Sequence, residues 1–484
     1  MGKNKNPLGI TVKKSEDFSE WYTQLLQKAE LIEYSAVSGC YILRPNSYHI
    51  WEKVQEYFNK LIKEDGVRNA YFPLFIPESL LTKEEKHIEG FAAEVAWVES
   101  GGSSKLQERL AVRPTSETII NDTYSKWIRS HQDLPLRLNQ WCNVVRWEFK
   151  HPIPFLRSRE FLWQEGHTAF ATKEEAVAET RKILDFYERL FTELYALPVL
   201  KGTKSKAETF AGAEFTLSLE IFLPNGKAVQ GCTSHHLGQN FARAFNITFQ
   251  DEKQNTQFVW QNSWGISTRS IGIMVMMHSD DKGLVLPPRL ALTQAVIVPI
   301  LFDDSKTKVL KEAHKIKQLL EKKGISVHLD EREGYSPGWK FNEWEMKGIP
   351  VRIEIGPKDV EKNEVMVARR DTGEKQSLPL SALETEIKLI LEQMQKSLYE
   401  KARANLDKNI QMVEDIKDAE KALSAGKLIF APWCATEKCE ESFKEKTGAK
   451  SLNSPFQQPV LKKEQKCFAC KNKAQSWFYL GKSY

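Results

Sequence analysis

The chain has 484 residues, too many for one compact core, so about two to four domains are expected. Apolar residues make up 41%, charged residues 27%, and the net charge is only +5, which neither demands nor excludes a nucleic-acid partner. No run of about 18 apolar residues exists, the stretch from Met274 to Met277 being far too short, so no membrane-spanning helix is predicted.

The first residues, Met1-Gly2-Lys3-Asn4-Lys5-Asn6, are basic with no apolar stretch behind them. Asn6 stands where an acylation motif needs Ser or Thr, so neither a secretory signal nor myristoylation is expected. Residues 15–33 carry Phe18, Trp21, Leu25 and Leu26 at helical spacing. A stronger helix follows over 47–63, with Trp51, Val54, Phe58, Leu61 and Ile62 on one stripe and Asp65-Gly66 ending it. Residues 67–77 are extended and apolar, and a strand at 110–112 leads into the polar turn Arg113-Pro114-Thr115-Ser116-Glu117. Two strands are predicted at 136–149 and 155–170 around the turn Lys150-His151-Pro152-Ile153-Pro154, then a long helix over 173–195. Strand-like stretches run from 208 to 280 and end in an apolar helix or strand from Arg269 to Met277. The first 285 residues thus read as an antiparallel or mixed sheet flanked by helices.

The pattern changes after Pro287-Pro288. A strand at 295–300, a helix at 305–323 stopped by Gly324, and a strand through Ile325, Val327 and Leu329 come first. A helix at 337–347 and strands at 351–355 and 365–368 follow, the last ending at Asp371-Thr372-Gly373. Such strand-helix alternation indicates a compact α/β domain. A charged helix over 381–405 leads into a tail that holds four of the seven cysteines. Cys434-x4-Cys439-x27-Cys467-x2-Cys470 has the spacing of a tetrahedral thiolate zinc site, with two free-thiol pairs as the alternative. Four ligands leave no open position, so the role would be structural. Clustered thiols with no signal peptide favour a reducing, cytoplasmic setting, and the glycosylation-like triplets at Asn121 and Asn246 read as chance.

The densest chemistry lies between Arg146 and Glu165. Arg146-x-Glu148, a loop, then Arg157-x-x-x-Phe161-x-x-x-Glu165 put arginines, a carboxylate and an aromatic ring on one hairpin. Two arginines suit separate phosphates of a nucleotide, a Glu accepts from a base amino group, and a Phe stacks on the base. Read alone, the pattern also fits a surface Arg-Glu ladder. Arg269 opens an apolar element after Trp264-Gly265-Ile266-Ser267-Thr268, and the loop from Gln230 to Gly238 adds polar groups. A metal at His235-His236 is disfavoured, because neighbours on a strand point to opposite faces. No phosphate-binding Gly-x-x-x-x-Gly-Lys loop exists: Gly481-Lys482-Ser483 has Ser476 where the first Gly belongs.

These pieces coincide with the three motifs of class II aminoacyl-tRNA synthetases: the helix-strand ending near Pro73, the Arg146–Glu165 hairpin, and the Arg269 segment. Residues 113–117, 139–149, 160–167 and 233–240 closely resemble prolyl-tRNA synthetases of the eukaryote- and archaeon-like type, and the resemblance covers nearly the whole chain. It implies an α/β (α+β) architecture in three parts. Residues 1–288 would form the antiparallel-sheet catalytic domain, 289–400 the anticodon-binding domain, and 401–484 a small zinc-binding domain. It implies activation of L-proline with ATP and Mg2+, then transfer to tRNA(Pro), in a cytoplasmic homodimer.

By the same resemblance, Arg146, Glu148, Arg157 and Arg269 are catalytic. Thr115, Glu117, Arg146, Trp163 and His235 bind proline, with Phe210 as a further wall. Arg146, Glu148, Arg157, Ser158, Phe161, Gln230, Thr233, Thr268 and Arg269 bind ATP. Glu345, Arg352 and Lys358 read the anticodon, Cys434, Cys439, Cys467 and Cys470 bind zinc, and Tyr484 lies near the active site with its carboxylate inside. Ser158 and Cys232 depart from the common Thr and Gly of relatives, with modest effects expected. Alanine and cysteine are small enough to enter a proline pocket. Only about 100 residues separate Glu165 from Arg269, too few for the inserted editing domain of bacterial-type relatives, so no alanyl-tRNA hydrolysis is expected. A threonyl or glycyl enzyme is the alternative within the class, and a non-catalytic paralogue the alternative outside it.

Overall fold

A computed structural model describes residues 9–85 and 94–484. The basic segment from Met1 to Asn6 lies outside the described residues. Helices Phe18–Lys28 and Pro45–Glu64 form as their apolar stripes require. Trp21, Leu25 and Leu26 from the first, and Trp51, Val54, Phe58 and Ile62 from the second, are buried in the largest core. That core also takes the inner face of helix Lys173–Arg189 and nearly all of helix Arg269–His278, which resolves the helix-or-strand question for that segment.

The helices pack on a sheet of eleven strands. Its centre runs, in spatial order, Leu200–Thr203, Phe215–Phe222, Ala228–Gly238, Trp260–Ser267, Glu160–Phe170 and Leu136–Val145, each antiparallel to the next. Arg68–Asn69 adds a parallel edge beside Leu136–Val145. The sheet continues past its other edge into the C-terminal residues. Lys450–Pro455 pairs with Leu200–Thr203 through Ser454 opposite Thr203, and Ser476–Gly481, Leu428–Trp433 and Ile410–Met412 follow.

The hairpin strands stop earlier than the sequence suggests. They end at Val145 and resume at Glu160, so residues 146–159 form a loop pinned by Arg146 N–H to Arg159 O at 2.7 Å and Arg157 N–H to Ile153 O at 2.9 Å. Pro152, Pro154 and the left-handed Phe155 (φ 62°) break the ladder there.

Strands Ala295–Pro299, Val327–Leu329, Val351–Ile355, Glu364–Arg369 and Lys375–Pro379 form a separate five-stranded sheet, packed by helix Lys306–Glu321 around its own core. Helix Leu383–Asn409 is shared. Leu383, Ile387 and Met394 lie in this second core, Ala402 in the first, and Leu406 at the junction with the C-terminal strands. It therefore runs across the expected division at residue 400.

Candidate active site

One cavity of about 260 Å3 opens on the face of the large sheet. Strand alternation aims its lining: Trp163, Glu165 and His167 are every second residue of Glu160–Phe170, and Thr233 and His235 of Ala228–Gly238. Gly166, on the opposite face between them, lets Trp264 pack flat on the strand; a Cβ there would sit 2.2 Å from the indole.

The cavity has two electrostatic ends. At one, the Thr115 hydroxyl hydrogen-bonds the Glu117 carboxylate. Beside them Glu165 is buried, accepting from Ser116 N–H (3.2 Å) and Gln140 Nε2 (2.9 Å) and contacting His167 Nε2 (3.0 Å). Burial alone would raise Glu165, but the His167 hydrogen bond and charge, with Ser116 and Gln140, outweigh it and hold the carboxyl below its usual range. Burial likewise would lower His167, yet the Glu165 hydrogen bond and the charges of Glu117 and Glu165 raise it. Glu117 and Glu165 facing one end of the cavity, with the Thr115 hydroxyl beside them, suit a small ammonium. His235 is different: burial, reinforced by Lys204 and His167, pushes it down to about 3, so it is neutral. Its Nδ1 lies 2.9 Å from Thr216 Oγ1 and its ring 4.6 Å from that of Phe210.

At the other end Arg146, Arg157 and Arg269 converge. Arg146 lies over the rings of Trp163 (5.3 Å) and Phe161 (5.6 Å), and its Nε donates to Pro114 O at 3.0 Å. Arg269 Nε donates to Leu156 O at 3.2 Å. Burial, then the charges of Arg146 and Arg157, bring Arg269 down to about 10. Arg146 and Arg269 in the cleft, with Arg157 on the loop above, concentrate positive charge suited to an anion.

Of the expected site residues, Thr115, Glu117, Arg146, Phe161, Trp163, Phe210, Gln230, Thr233, His235 and Arg269 line this cavity. Ser158 and Thr268 line an adjoining one of about 280 Å3, with Phe161 common to both. Glu148 and Arg157 lie exposed on the loop over the cleft, where their charges still reach Arg269. Glu165, which ends the hairpin motif but carries no binding role in the sequence reading, and His167, which carries none either, also line this cavity. The every-other-residue run Trp163, Glu165, His167 was the available signal. His235 and His236 face opposite sides, toward Thr216 and Asn262 respectively.

Two further groups gather elsewhere. Glu345 and Arg352 line a cavity of about 330 Å3 with Phe341 and Lys375, whereas Lys358 lies exposed on helix Pro357–Lys362, outside that lining. The sulfurs of Cys434, Cys439, Cys467 and Cys470 all lie within 4.8 Å of one another, with Cys434 and Cys470 3.6 Å apart and Cys439 and Cys467 3.9 Å apart.

The large, mainly antiparallel sheet carries an arginine-lined cleft beside a separate α/β sheet, and the family matches make the chain a class II aminoacyl-tRNA synthetase. Residues 97–278 match the family described as tRNA synthetase class II core domain (G, H, P, S and T). Residues 294–389 match an anticodon binding domain, and 416–484 a prolyl-tRNA synthetase C-terminal domain. The cytoplasmic proline--tRNA ligase of Arabidopsis thaliana is 52% identical over all of this chain and 92% of its own length. Proline--tRNA ligase 2 of Clostridioides difficile is 49% identical over the full length of both. A putative proline--tRNA ligase of Saccharomyces cerevisiae is 48% identical over 99% of this chain and 73% of its own. The chain belongs to the prolyl-tRNA synthetase family and is a proline–tRNA ligase: it activates L-proline with ATP and transfers the prolyl group to tRNA(Pro).

Proposed function

We propose that Thr115, Glu117, Trp163 and His235, with Glu165 and His167, hold proline, and that Arg146 bridges its carboxylate to the α-phosphate of ATP. Arg157 and Arg269 hold the remaining phosphates, Phe161 and Arg269 enclose adenine, and Glu148 accepts from its amino group. Ser158, Gln230, Thr233 and Thr268 complete the nucleotide site. The observation that carries this reading is the separation of charge: the buried carboxyl groups of Glu117 and Glu165 at one end, and at the other Arg269, crowded by the charges of Arg146 and Arg157. The proline carboxylate oxygen attacks the α-phosphorus, the bond to the bridging β-oxygen breaks, and pyrophosphate leaves. A ribose hydroxyl at the tRNA 3' end then attacks the activated carbonyl and AMP leaves. No protein nucleophile is required; rate comes from alignment and from arginines that neutralise charge growing on phosphate oxygens. Mg2+ enters with ATP as the substrate complex and shields the triphosphate charge.

Glu345, Arg352 and Lys358 would read the anticodon, Arg352 already lying over Phe341 at 4.3 Å. The four cysteines would hold zinc. Thiolates about 2.3 Å from a tetrahedral ion are about 3.8 Å apart, which matches the 3.6 and 3.9 Å pairs. A homodimer through the first helix-strand region is supported by Tyr34, Ile42, Tyr48, Tyr71 and Phe75, all exposed there. A cytoplasmic setting is supported by the naming of the Arabidopsis relative. Helix Lys173–Arg189 and strands of the catalytic sheet fill the interval between Glu165 and Arg269, which supports the absence of an editing domain. Deacylation of alanyl-tRNA by the purified chain would overturn that last reading.

The test of the cleft is amino-acid-dependent ATP–pyrophosphate exchange with proline, alanine, cysteine, threonine and glycine. Proline should lead, and Arg146→Ala should lower kcat by about 100-fold or more. A different leading amino acid would overturn the pocket assignment.

A further inference from the structure

The proline end of the cleft is walled by Glu208 and Phe210, which belong to the connection between strands Leu200–Thr203 and Phe215–Phe222. This connection is held from outside the catalytic sheet. Lys450 Nζ donates to Glu208 Oε2 at 2.8 Å. Ser205 Oγ donates to Glu440 Oε1 at 3.2 Å and accepts from Ser451 Oγ at 3.0 Å, and all three residues are buried. Within the connection the constraint is passed on. Ser205 Oγ accepts from Glu208 N–H at 3.3 Å, Ser205 O accepts from Thr209 Oγ1 at 2.8 Å, and Phe210 N–H donates to Thr216 Oγ1 at 3.0 Å. Thr216 Oγ1 in turn meets His235 Nδ1. Hydrogen bonds from helix Glu437–Thr447 and strand Lys450–Pro455 thus hold residues 205–209, and hydrogen bonds from the next residue, Phe210, lead through Thr216 to the imidazole of the proline pocket.

We propose that Lys450 and Glu440 are positioning residues for proline binding: the C-terminal domain braces residues 204–210, and thereby sets the walls Glu208 and Phe210. The proposal rests on the reading of Thr115, Glu117 and His235 as the proline pocket. The nucleotide end shares none of these contacts, since Arg146 and Arg269 are tied to Pro114 and Leu156. Loss of the brace thus lowers the fraction of molecules whose pocket is competent for proline and leaves ATP binding alone.

Steady-state ATP–pyrophosphate exchange with the full chain tests this. Lys450→Met should raise KM for proline roughly five- to tenfold and leave KM for ATP within about twofold, while Lys450→Arg restores most of the loss. Trypsin should also cleave faster after Lys206, which lies within the braced residues with its side chain 86% exposed, in Lys450→Met than in the parent. If Lys450→Met does not fold, Ser205→Ala breaks the Glu440 arm and is read in the same way. An unchanged KM for proline, or an equal rise in both KM values, overturns the brace. Glu117→Gln is measured beside them. If it raises KM for proline and the brace variant does not, the brace alone fails; if it too has no effect, the pocket reading fails and the brace with it.

Discussion

Arginine at position 269 does something a lysine there does not. Its burial and its two arginine neighbours lower it only to about 10, so it stays charged at neutral pH. A lysine starts roughly two units lower or more and would meet the same penalties. Arg269→Lys should therefore show a KM for ATP that climbs between about pH 7 and 9, where the parent stays flat; a flat profile for the variant would mean the site is less crowded with positive charge than the geometry indicates. Glu165 and His167 give a second pH signature. The depressed Glu165 contributes stability above the unfolded carboxyl value of about 4.3, lost as pH falls through its folded value. The raised His167 contributes below the unfolded imidazole value of about 6.5, lost as pH rises through its folded value. His167→Gln should thus cost roughly 3 kcal/mol between about pH 4.5 and 6.5, and progressively less above, in chemical denaturation of the catalytic core. Arg146 and Phe161 were legible as cavity lining because charge and aromaticity crowd one hairpin, while Glu148 and Arg157 from the same motif lie exposed on the loop above it. Glu165 and His167 were harder to see as a site, because their partners Ser116, Gln140 and Glu117 come from distant sequence and burial creates the pairing.

Element boundaries follow local chemistry where that chemistry exists. Helix Lys173–Arg189 starts as expected because Thr172 and Glu175 satisfy one another's N–H groups, at 3.3 and 3.2 Å. Its far end was expected at 195, but Leu190–Leu194 widens into a π-helical turn that no Gly or Pro announces. The 146–159 loop replaces the expected strand ends because Pro152, Pro154 and the left-handed Phe155 interrupt the ladder. In the tail, spacing alone paired the cysteines into one site, although they arrive from a loop, from helix Glu437–Thr447 and from the turn holding Cys467 and Cys470. Purified protein should carry about one zinc per chain by atomic emission. Cys467→Ser should abolish that and expose the amides of residues 428–481 to hydrogen exchange, since zinc ligation there would also supply folding energy. Retained protection without metal would return the thiols to free pairs.

At the scale of the whole molecule, the three parts predicted from sequence are more fused than their patterns suggest. Strand pairing between Ser454 and Thr203 joins residues about 250 positions apart and leaves no local trace in either segment. The anticodon-binding domain is joined too, at the exit of helix Arg269–His278. Arg370, 4% exposed in its side chain, donates to Asp280 through Nη1 at 2.9 Å and Nη2 at 2.6 Å, and its Nε donates to Glu345 O at 2.9 Å. Lys282 reaches Glu345 Oε1 at 3.3 Å, and Leu284 N–H bonds Met346 O at 3.0 Å. Burial would raise Asp280, but Arg370 outweighs it and keeps the carboxylate charged. One end of that helix thus carries Arg269, proposed above to bind the nucleotide, and residues just past the other end are clamped to the backbone of Glu345, proposed above to read the anticodon. Arg370→Ala should leave proline-dependent pyrophosphate exchange, which needs no tRNA, within about twofold, while kcat/KM for tRNA in aminoacylation falls about tenfold. If both activities fall together, the ion pair serves the fold of the catalytic domain; if only the tRNA-dependent step falls, anticodon and active site share a mechanical link through residues 279–284.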